Sequence, residues 1–125
     1  MIDSSPQTIK SPEDLRRRTK EFALRIIKLF RALPKTEEAR ILGRQVLRSG
    51  TAVAANYRSA CRARSRPDFI SKIGITVEEA DETAFWLELI VDSAIIKKPK
   101  LESLMAEANE LVRIFQATRT TARSR

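Results

Sequence analysis

Apolar side chains recur at intervals of three and four residues along most of the chain, which is the pattern of helices that bury one face. In the first amphipathic segment the recurring positions are Leu15, Phe22, Ile26, Phe30 and Leu33. In the last segment they are Leu101, Leu104, Ala108, Leu111 and Phe115. Glycine and aromatic residues are few, as is typical of helical chains. The sequence therefore predicts an all-α protein.

Prolines and capping residues divide the pattern into four stretches. Proline suits the first turn of a helix and breaks its interior, so Pro12, Pro34, Pro67 and Pro99 mark helix starts or turns. Ser11 and Ser65 each precede such a start and have an aspartate three residues later, as N-caps do. The predicted helices lie near residues 12–33, 36–63, 66–96 and 100–119, with loose ends at 1–10 and 120–125.

Four amphipathic helices joined by short turns favour one architecture. A chain of 125 residues is the length of one domain. Antiparallel packing of consecutive helices buries all four apolar faces with the shortest connections. We expect residues 1–125 to form a single up-down-up-down antiparallel four-helix bundle.

The second helix carries arginines on the side opposite its apolar positions. At about 100° per residue, the arginines of this helix fall within about 80° of one another. They are Arg40, Arg44, Arg48, Arg58 and Arg62, and Arg64 and Arg66 continue the series into the next turn. No acid occurs between residues 39 and 67. Because guanidinium groups pair with phosphate oxygens and release counterions, these seven arginines are predicted to bind nucleic acid.

Charge is divided unevenly along the chain. Residues 1–67 contain 16 basic and 6 acidic side chains, whereas residues 68–125 contain 8 and 10. Solvated helix faces usually mix both signs, so the single sign favours a polyanionic partner over a merely solvated face. The pattern leaves three points open: whether the stripe is only a solvated face, whether the nucleic acid is RNA or DNA, and which sequences it prefers.

The third helix is apolar on two faces. One stripe includes Ile73, Val77 and Leu87, while Phe85, Trp86 and Leu89 fall on the other side among glutamates. A helix that is apolar on two faces is covered on two faces. Phe85, Trp86 and Leu89 are therefore predicted to form a subunit interface, in which nearby acids pair with arginines of a neighbouring subunit or of the first helix. The alternative is that a central third helix is wrapped by its own bundle.

Several kinds of chemistry are excluded or disfavoured by composition. The chain has no histidine, which removes histidine-based catalytic triads, imidazole bases and histidine metal sites. The single cysteine, Cys61, forms neither an internal disulfide nor a zinc site. We expect no catalytic residue, metal or cofactor, and hence no enzyme. No apolar run is long enough to span a membrane, so we expect a cytoplasmic protein with no membrane partner.

One part of the sequence has a recognisable pattern. It consists of Arg48-Ser49 before a small-residue stretch, Asn56, a basic turn from Arg62 to Arg66, Ser65-x-x-Asp68-Phe69, and Glu78-Glu79. With these motifs, residues 47–89 resemble the bacterial four-helix bundle proteins first noticed as reading frames within 23S rRNA intervening sequences. The resemblance implies a homo-oligomer, with a pentamer favoured. It also implies similarity to the accessory protein of diversity-generating retroelements, a basic bundle that binds a reverse transcriptase and nucleic acid.

These observations lead to one principal functional prediction and one alternative. The principal prediction is a non-enzymatic, oligomeric four-helix bundle protein that presents an arginine surface to RNA or DNA, acting as an accessory factor. The alternative is a protein-interaction scaffold whose basic face binds an acidic protein partner. A helical ribonuclease that depends on an Arg-x4-6-His motif is excluded because the chain has no histidine.

Overall fold

Within residues 11–125, which are those that the computed structural model describes, the chain forms four α-helices and no strand. They are α1 (Pro12–Ala32), α2 (Glu37–Cys61), α3 (Arg66–Asp92) and α4 (Lys98–Arg123). Turns of four or five residues connect them, and each helix packs against the next one in the chain. The predicted up-down-up-down four-helix bundle is confirmed. None of the four helices combines the length and apolar character that a membrane span requires.

The helix starts are fixed by the predicted capping residues. The Ser11 hydroxyl accepts a hydrogen bond from the backbone N–H of Asp14 at 3.0 Å, and the Ser65 hydroxyl accepts one from Asp68 at 3.1 Å. Thr36 caps α2 in the same way, accepting from the N–H of Ala39 at 3.3 Å. Each such bond satisfies a backbone donor that has no partner within the helix, which stabilises the fold by about 1 kcal/mol.

The end of α3 differs from the prediction. The helix stops at Asp92 rather than near residue 96, because Ala94 adopts a left-handed backbone conformation with φ of 63°. The chain then turns back, and the N–H of Ile95 donates to the carbonyl of Ile90 at 3.1 Å. Ile95 and Ile96 pack against the core after this reversal. Their burial offers a reason for the early end of the helix.

The end of α4 also differs. The expectation of a loose end over residues 120–125 is wrong for most of that segment, because α4 continues to Arg123. Arg66, at the start of α3, donates a hydrogen bond from Nε to the carbonyl of Ala122 at 3.1 Å. This bond satisfies one of the carbonyls left without a partner at a helix end. The other predicted loose end, residues 1–10, lies outside the described residues.

The core lies along the predicted apolar stripes. Its largest fully buried side chains are Phe22, Ile26, Val46, Val53, Ile73, Leu87, Ile90, Leu111 and Phe115. Two glycines of α2 allow α1 to approach closely. A Cβ atom on Gly50 would lie 2.7 Å from Cγ1 of Ile26, and one on Gly43 would lie 2.7 Å from Cδ1 of Leu33. The absence of side chains at these positions sets the distance between α1 and α2.

The seam between α1 and α4 contains two polar contacts, and the backbones of these two helices approach each other less than those of consecutive helices do. Arg18 of α1 donates from Nε and Nη2 to the two carboxylate oxygens of Glu107 at 2.7 and 2.8 Å. Farther along, Arg25 donates to the hydroxyl of Ser103 at 2.9 Å. The Glu107 carboxylate raises the pKa of the Arg18 guanidinium, whose side chain is largely buried. The pair therefore closes this side of the bundle as an ion pair.

Candidate nucleic-acid interface

The seven arginines predicted to bind nucleic acid are all exposed. Arg40, Arg44, Arg48 and Arg58 lie on α2, opposite its buried residues. The other three follow the end of that helix: Arg62 is its C-cap residue, Arg64 lies in the turn, and Arg66 begins α3. The helical spacing that orients α2 toward the core thus places these arginines on its outer face and on the adjoining turn.

Arg48 differs from the others because its charge is compensated within the chain. Its Nη1 lies 3.2 Å from Oε1 of Glu79, and its Nη2 contacts Glu82, both on α3. The prediction that these acids pair with the first helix is wrong for Glu79 and Glu82, since both contact Arg48 on α2 of the same chain. Their pairing with a neighbouring subunit stays a prediction. A guanidinium engaged by two carboxylates is a weaker phosphate ligand than a free one.

Five of the remaining six arginines form two groups at opposite ends of α2, while the sixth, Arg66, bonds the carbonyl of Ala122. Arg40 and Arg44 lie near its start, and Arg58, Arg62 and Arg64 lie at or just beyond its end. At about 1.5 Å per residue, about 21 Å of helix separates Arg44 from Arg58. No ion pair joins any of these five to a carboxylate within residues 11–125. Five guanidinium groups on this surface therefore carry uncompensated positive charge.

The outer face of α1 adds cations that the sequence pattern did not bring to notice. Arg17, Lys20, Lys28 and Arg31 are exposed and lie on the side of α1 opposite Phe22 and Ile26. Of these, Arg17 pairs with Asp14 at 2.8 Å. The helical spacing that revealed the arginines of α2 could have revealed these residues, but Glu13, Asp14 and Glu21 on the same helix made their single sign less evident. Because α1 packs on α2, the basic side chains of both helices belong to the same half of the bundle.

The predicted subunit interface on α3 is only partly exposed. Phe85 is 49% exposed, whereas Trp86 and Leu89 are half-buried, and Trp86 packs against the core. The rings of Phe85 and Trp86 are in contact, with centroids 5.1 Å apart. Ile75, which is 40% exposed, lies on the same side of α3. The bundle itself thus covers part of the second apolar face, and the part it leaves uncovered is centred on Phe85.

The groups that could support other chemistry are few. Within residues 11–125, no three His, Cys, Asp or Glu side chains cluster as metal ligands would. Cys61 is a free, half-buried thiol one helical turn after Tyr57. Burial and the neighbouring Cys61 raise the pKa of the Tyr57 hydroxyl. The ring of Tyr57 packs against Phe115 with centroids 4.9 Å apart, so this part of the molecule belongs to the core.

Comparison with known proteins identifies the family. One solved structure has a TM-score of 0.81 and 34% sequence identity, covering 87% of this chain and 97% of that chain. It is the crystal structure of a protein with unknown function from the S23 ribosomal protein family of Bacteroides thetaiotaomicron VPI-5482. No curated protein matches the sequence. The model of the 23S rRNA-intervening sequence protein family matches residues 14–117. Because that match extends from the first turn of α1 to the last turns of α4, the chain belongs to the 23S rRNA-intervening sequence protein family.

Proposed function

We propose that this protein is a non-enzymatic nucleic-acid-binding protein that acts as a homo-oligomer. The observation that carries the proposal is a group of five exposed arginines whose side chains form neither an ion pair nor a hydrogen bond within residues 11–125: Arg40, Arg44, Arg58, Arg62 and Arg64. Guanidinium groups form bidentate hydrogen bonds with phosphate, and their binding releases the counterions condensed on a nucleic acid. The surrounding charge of α1 increases attraction to any polyanion.

The proposal is tested by the salt dependence of binding. Each phosphate contact contributes about −0.9 to the slope of log K against log salt on duplex DNA, and about −0.7 on single strands. The triple variant Arg58→Gln, Arg62→Gln, Arg64→Gln should flatten that slope by roughly two to three units and weaken binding similarly for all sequences. Arg66 is left intact because its Nε holds the end of α4. RNA is the first probe, since the family is named for an intervening sequence of 23S rRNA.

A matched variant controls for net charge. Lys97→Gln, Lys98→Gln, Lys100→Gln removes the same number of positive charges from the α3–α4 turn and the first turn of α4, where all three lysines are exposed. We expect this variant to retain most of the slope of the unmodified protein. Equal losses in the two triple variants would show that only overall charge matters. Absence of binding by the unmodified protein at low salt would overturn the proposal and favour an acidic protein partner.

Arg48 provides a test in which nucleic-acid binding is expected to strengthen rather than weaken. Glu79→Gln with Glu82→Gln removes its two carboxylate partners, which frees a guanidinium next to the proposed phosphate surface. Nucleic-acid affinity should rise, and the slope should steepen by up to about one unit. Glu78→Gln with Asp81→Asn changes the charge of the same helix equally, but neither residue contacts Arg48. A larger gain in the first variant supports a phosphate site beside Arg48, and equal gains argue against it.

The exposed apolar part of α3 supports assembly into a homo-oligomer. Phe85 is the most exposed member of the predicted interface, so Phe85→Glu should disrupt contacts between subunits without removing core packing. Light scattering of the unmodified protein should give several times 14.2 kDa, with a smaller particle for Phe85→Glu. Leu24→Glu is the control, because Leu24 is 55% exposed on the outer face of α1. A monomeric unmodified protein at micromolar concentration would refute this part of the proposal.

A further inference from the structure

A cleft of about 370 Å³ opens where α1 ends and α2 begins. Its apolar lining consists of Phe30, Leu33, Pro34 and Ala39, of which Leu33 and Ala39 are buried, and its cationic side chains are Arg31, Lys35, Arg40 and Arg44. No carboxylate lines it, although Glu37 and Glu38 occupy the first turn of α2. Its volume falls at the lower end of the range for small-molecule sites, which is about 300–1,000 Å³. The cleft is therefore large enough for a single small ligand with an apolar part and a negative charge.

The apolar floor of the cleft is built by the close approach of α1 and α2. Gly43 of α2 has no side chain, and a Cβ there would lie 2.7 Å from Cδ1 of Leu33 and 3.3 Å from Cδ1 of Phe30. The missing side chain allows both apolar residues to lie against α2. Phe30 is half-buried and packs against the core, which holds its ring in place. The floor is consequently a fixed part of the bundle.

The chemistry of the cleft matches one nucleotide. An aromatic ring beside aliphatic groups suits the flat face of a base, which stacks on aromatic side chains regardless of sequence. The three arginines and one lysine around it suit the attached phosphate. We propose that this cleft binds a single unpaired nucleotide, with the base on the floor that includes Phe30 and the phosphate held by Arg31, Lys35, Arg40 and Arg44. Where that nucleotide is part of a longer strand, this inference rests on the proposed function.

The position of the cleft predicts a preference for single strands. Arg40 and Arg44 belong both to the cleft and to the arginine surface of α2, so a strand held along α2 can place one base in the cleft. A base in a duplex must first leave its stack, which costs a few kcal/mol. A single strand avoids that cost. We therefore expect tighter binding to an unpaired strand than to a duplex of the same length.

The first experiment compares two double variants on both kinds of strand. Arg31→Gln with Lys35→Gln removes two cations that line the cleft, and Lys20→Gln with Lys28→Gln removes two exposed cations of α1 that do not. Binding is measured by fluorescence anisotropy on a single strand of about 15 nucleotides, within the range of known single-strand sites, and on the matching duplex. We expect the cleft variant to weaken single-strand binding about fivefold or more and duplex binding less than about twofold, because only the unpaired base reaches the cleft. Equal losses on both strands, or from both variants, would overturn the inference.

The second experiment examines the cleft without a polynucleotide. Amide chemical shifts of Ala39, Arg40 and Gly43 are followed by NMR during titration with adenosine monophosphate, adenosine or inorganic phosphate. Adenosine monophosphate should bind at least about tenfold more tightly than either fragment, since only it engages both the floor and the cations. Phe30→Leu should weaken the binding of adenosine monophosphate and leave the binding of inorganic phosphate unchanged. Equal affinities for inorganic phosphate and adenosine monophosphate would show that the cleft is a simple anion site, which would overturn the inference.

The two experiments separate this inference from the proposed function. If adenosine monophosphate binds in the cleft but no polynucleotide binds to the protein, the nucleotide site stands and the proposed function fails. If polynucleotides bind with the expected salt dependence but the cleft variant behaves like its control and adenosine monophosphate does not bind, the proposed function stands and the nucleotide site fails. If neither ligand binds, both proposals fail.

Discussion

Replacing Gly50 with alanine tests whether close packing between α1 and α2 is essential to the bundle. The new methyl group would lie 2.7 Å from Cγ1 and 2.9 Å from Cγ2 of Ile26, a side chain that is completely buried. Carbon atoms in good contact are about 3.5–4.0 Å apart, so α1 or the Ile26 side chain must move by nearly 1 Å. Overpacking of this kind costs about 1–3 kcal/mol. Alanine also favours the helix over glycine by about 1 kcal/mol, which leaves a net loss of about 0–2 kcal/mol.

The matched control is the glycine in the middle of α3. A Cβ on Gly74 would have as its nearest neighbour Nη1 of Arg119, 3.4 Å away at the end of a flexible side chain. Gly74→Ala should therefore stabilise the protein by about 0.5–1 kcal/mol through helix propensity alone. Unfolding is followed by circular dichroism with heat and with urea, at one protein concentration because assembly also affects stability. For a chain of this length, about 1 kcal/mol corresponds to about 4 °C in Tm.

A double-mutant cycle identifies the contact responsible. Ile26→Ala alone should cost about 2–5 kcal/mol because it leaves a cavity. In combination with Gly50→Ala, the introduced methyl group occupies part of that cavity, so the double variant should be more stable than the sum of the two single changes predicts, by about 0.5 kcal/mol or more. The reasoning is refuted if Gly50→Ala is as stabilising as Gly74→Ala, or if the two changes at the α1–α2 contact are additive.

Three further changes have expected outcomes in unfolding experiments. Ala94→Gly should raise the free energy of unfolding by about 0.5–1 kcal/mol, because the left-handed conformation at φ 63° costs an alanine about 1–2 kcal/mol and glycine is free of that penalty; an unchanged urea midpoint would contradict this. Glu107→Gln should lower the free energy of unfolding by about 2 kcal/mol, because the substitution leaves Arg18 without its ionic partner and the Arg18 side chain is only 14% exposed. Simultaneous Arg18→Met should restore part of that loss. Tyr57 has a raised pKa in the folded state through burial and Cys61, so the stability it contributes is complete below the ordinary tyrosine pKa of about 10 and is lost as the pH rises above it. Tyr57→Phe should flatten the fall in stability between about pH 9.5 and 11, and an unchanged profile would refute the assignment.

The features that the sequence predicted well depend on neighbours along the chain. The caps at Ser11 and Ser65 and the outward placement of the arginines follow from positions a few residues apart, and all are found in the structure. The end of α3 was not predicted because neither glycine nor proline marks it; the left-handed residue is Ala94, which usually avoids that conformation. Local signals therefore predicted three of the four helix starts closely and missed this end.

The features that were missed depend on contacts between helices. Arg48 and its partners, Glu79 and Glu82, are more than 30 residues apart, and helical spacing within α2 says nothing about which acids of α3 face it. The cleft likewise needs Phe30 from α1 beside Arg44 from α2. Within α2 the aromatic residue between the arginines, Tyr57, is buried in the core, so α2 by itself offers no ring on which a base could stack. The fold supplies an aromatic ring from the neighbouring helix.

The polar seam between α1 and α4 has a consequence for how the native bundle opens. The backbone of α1 approaches α2 along its length but approaches α4 at few positions, and the Arg18–Glu107 pair and the Arg25–Ser103 hydrogen bond join it to α4. Segments with the least packing open first in native proteins, and their amides exchange with deuterium before the rest. The amides of α1 should therefore exchange through a partial opening in which α2, α3 and α4 remain together. Protection should last longest in the α2–α3 hairpin, whose helices pack together most extensively.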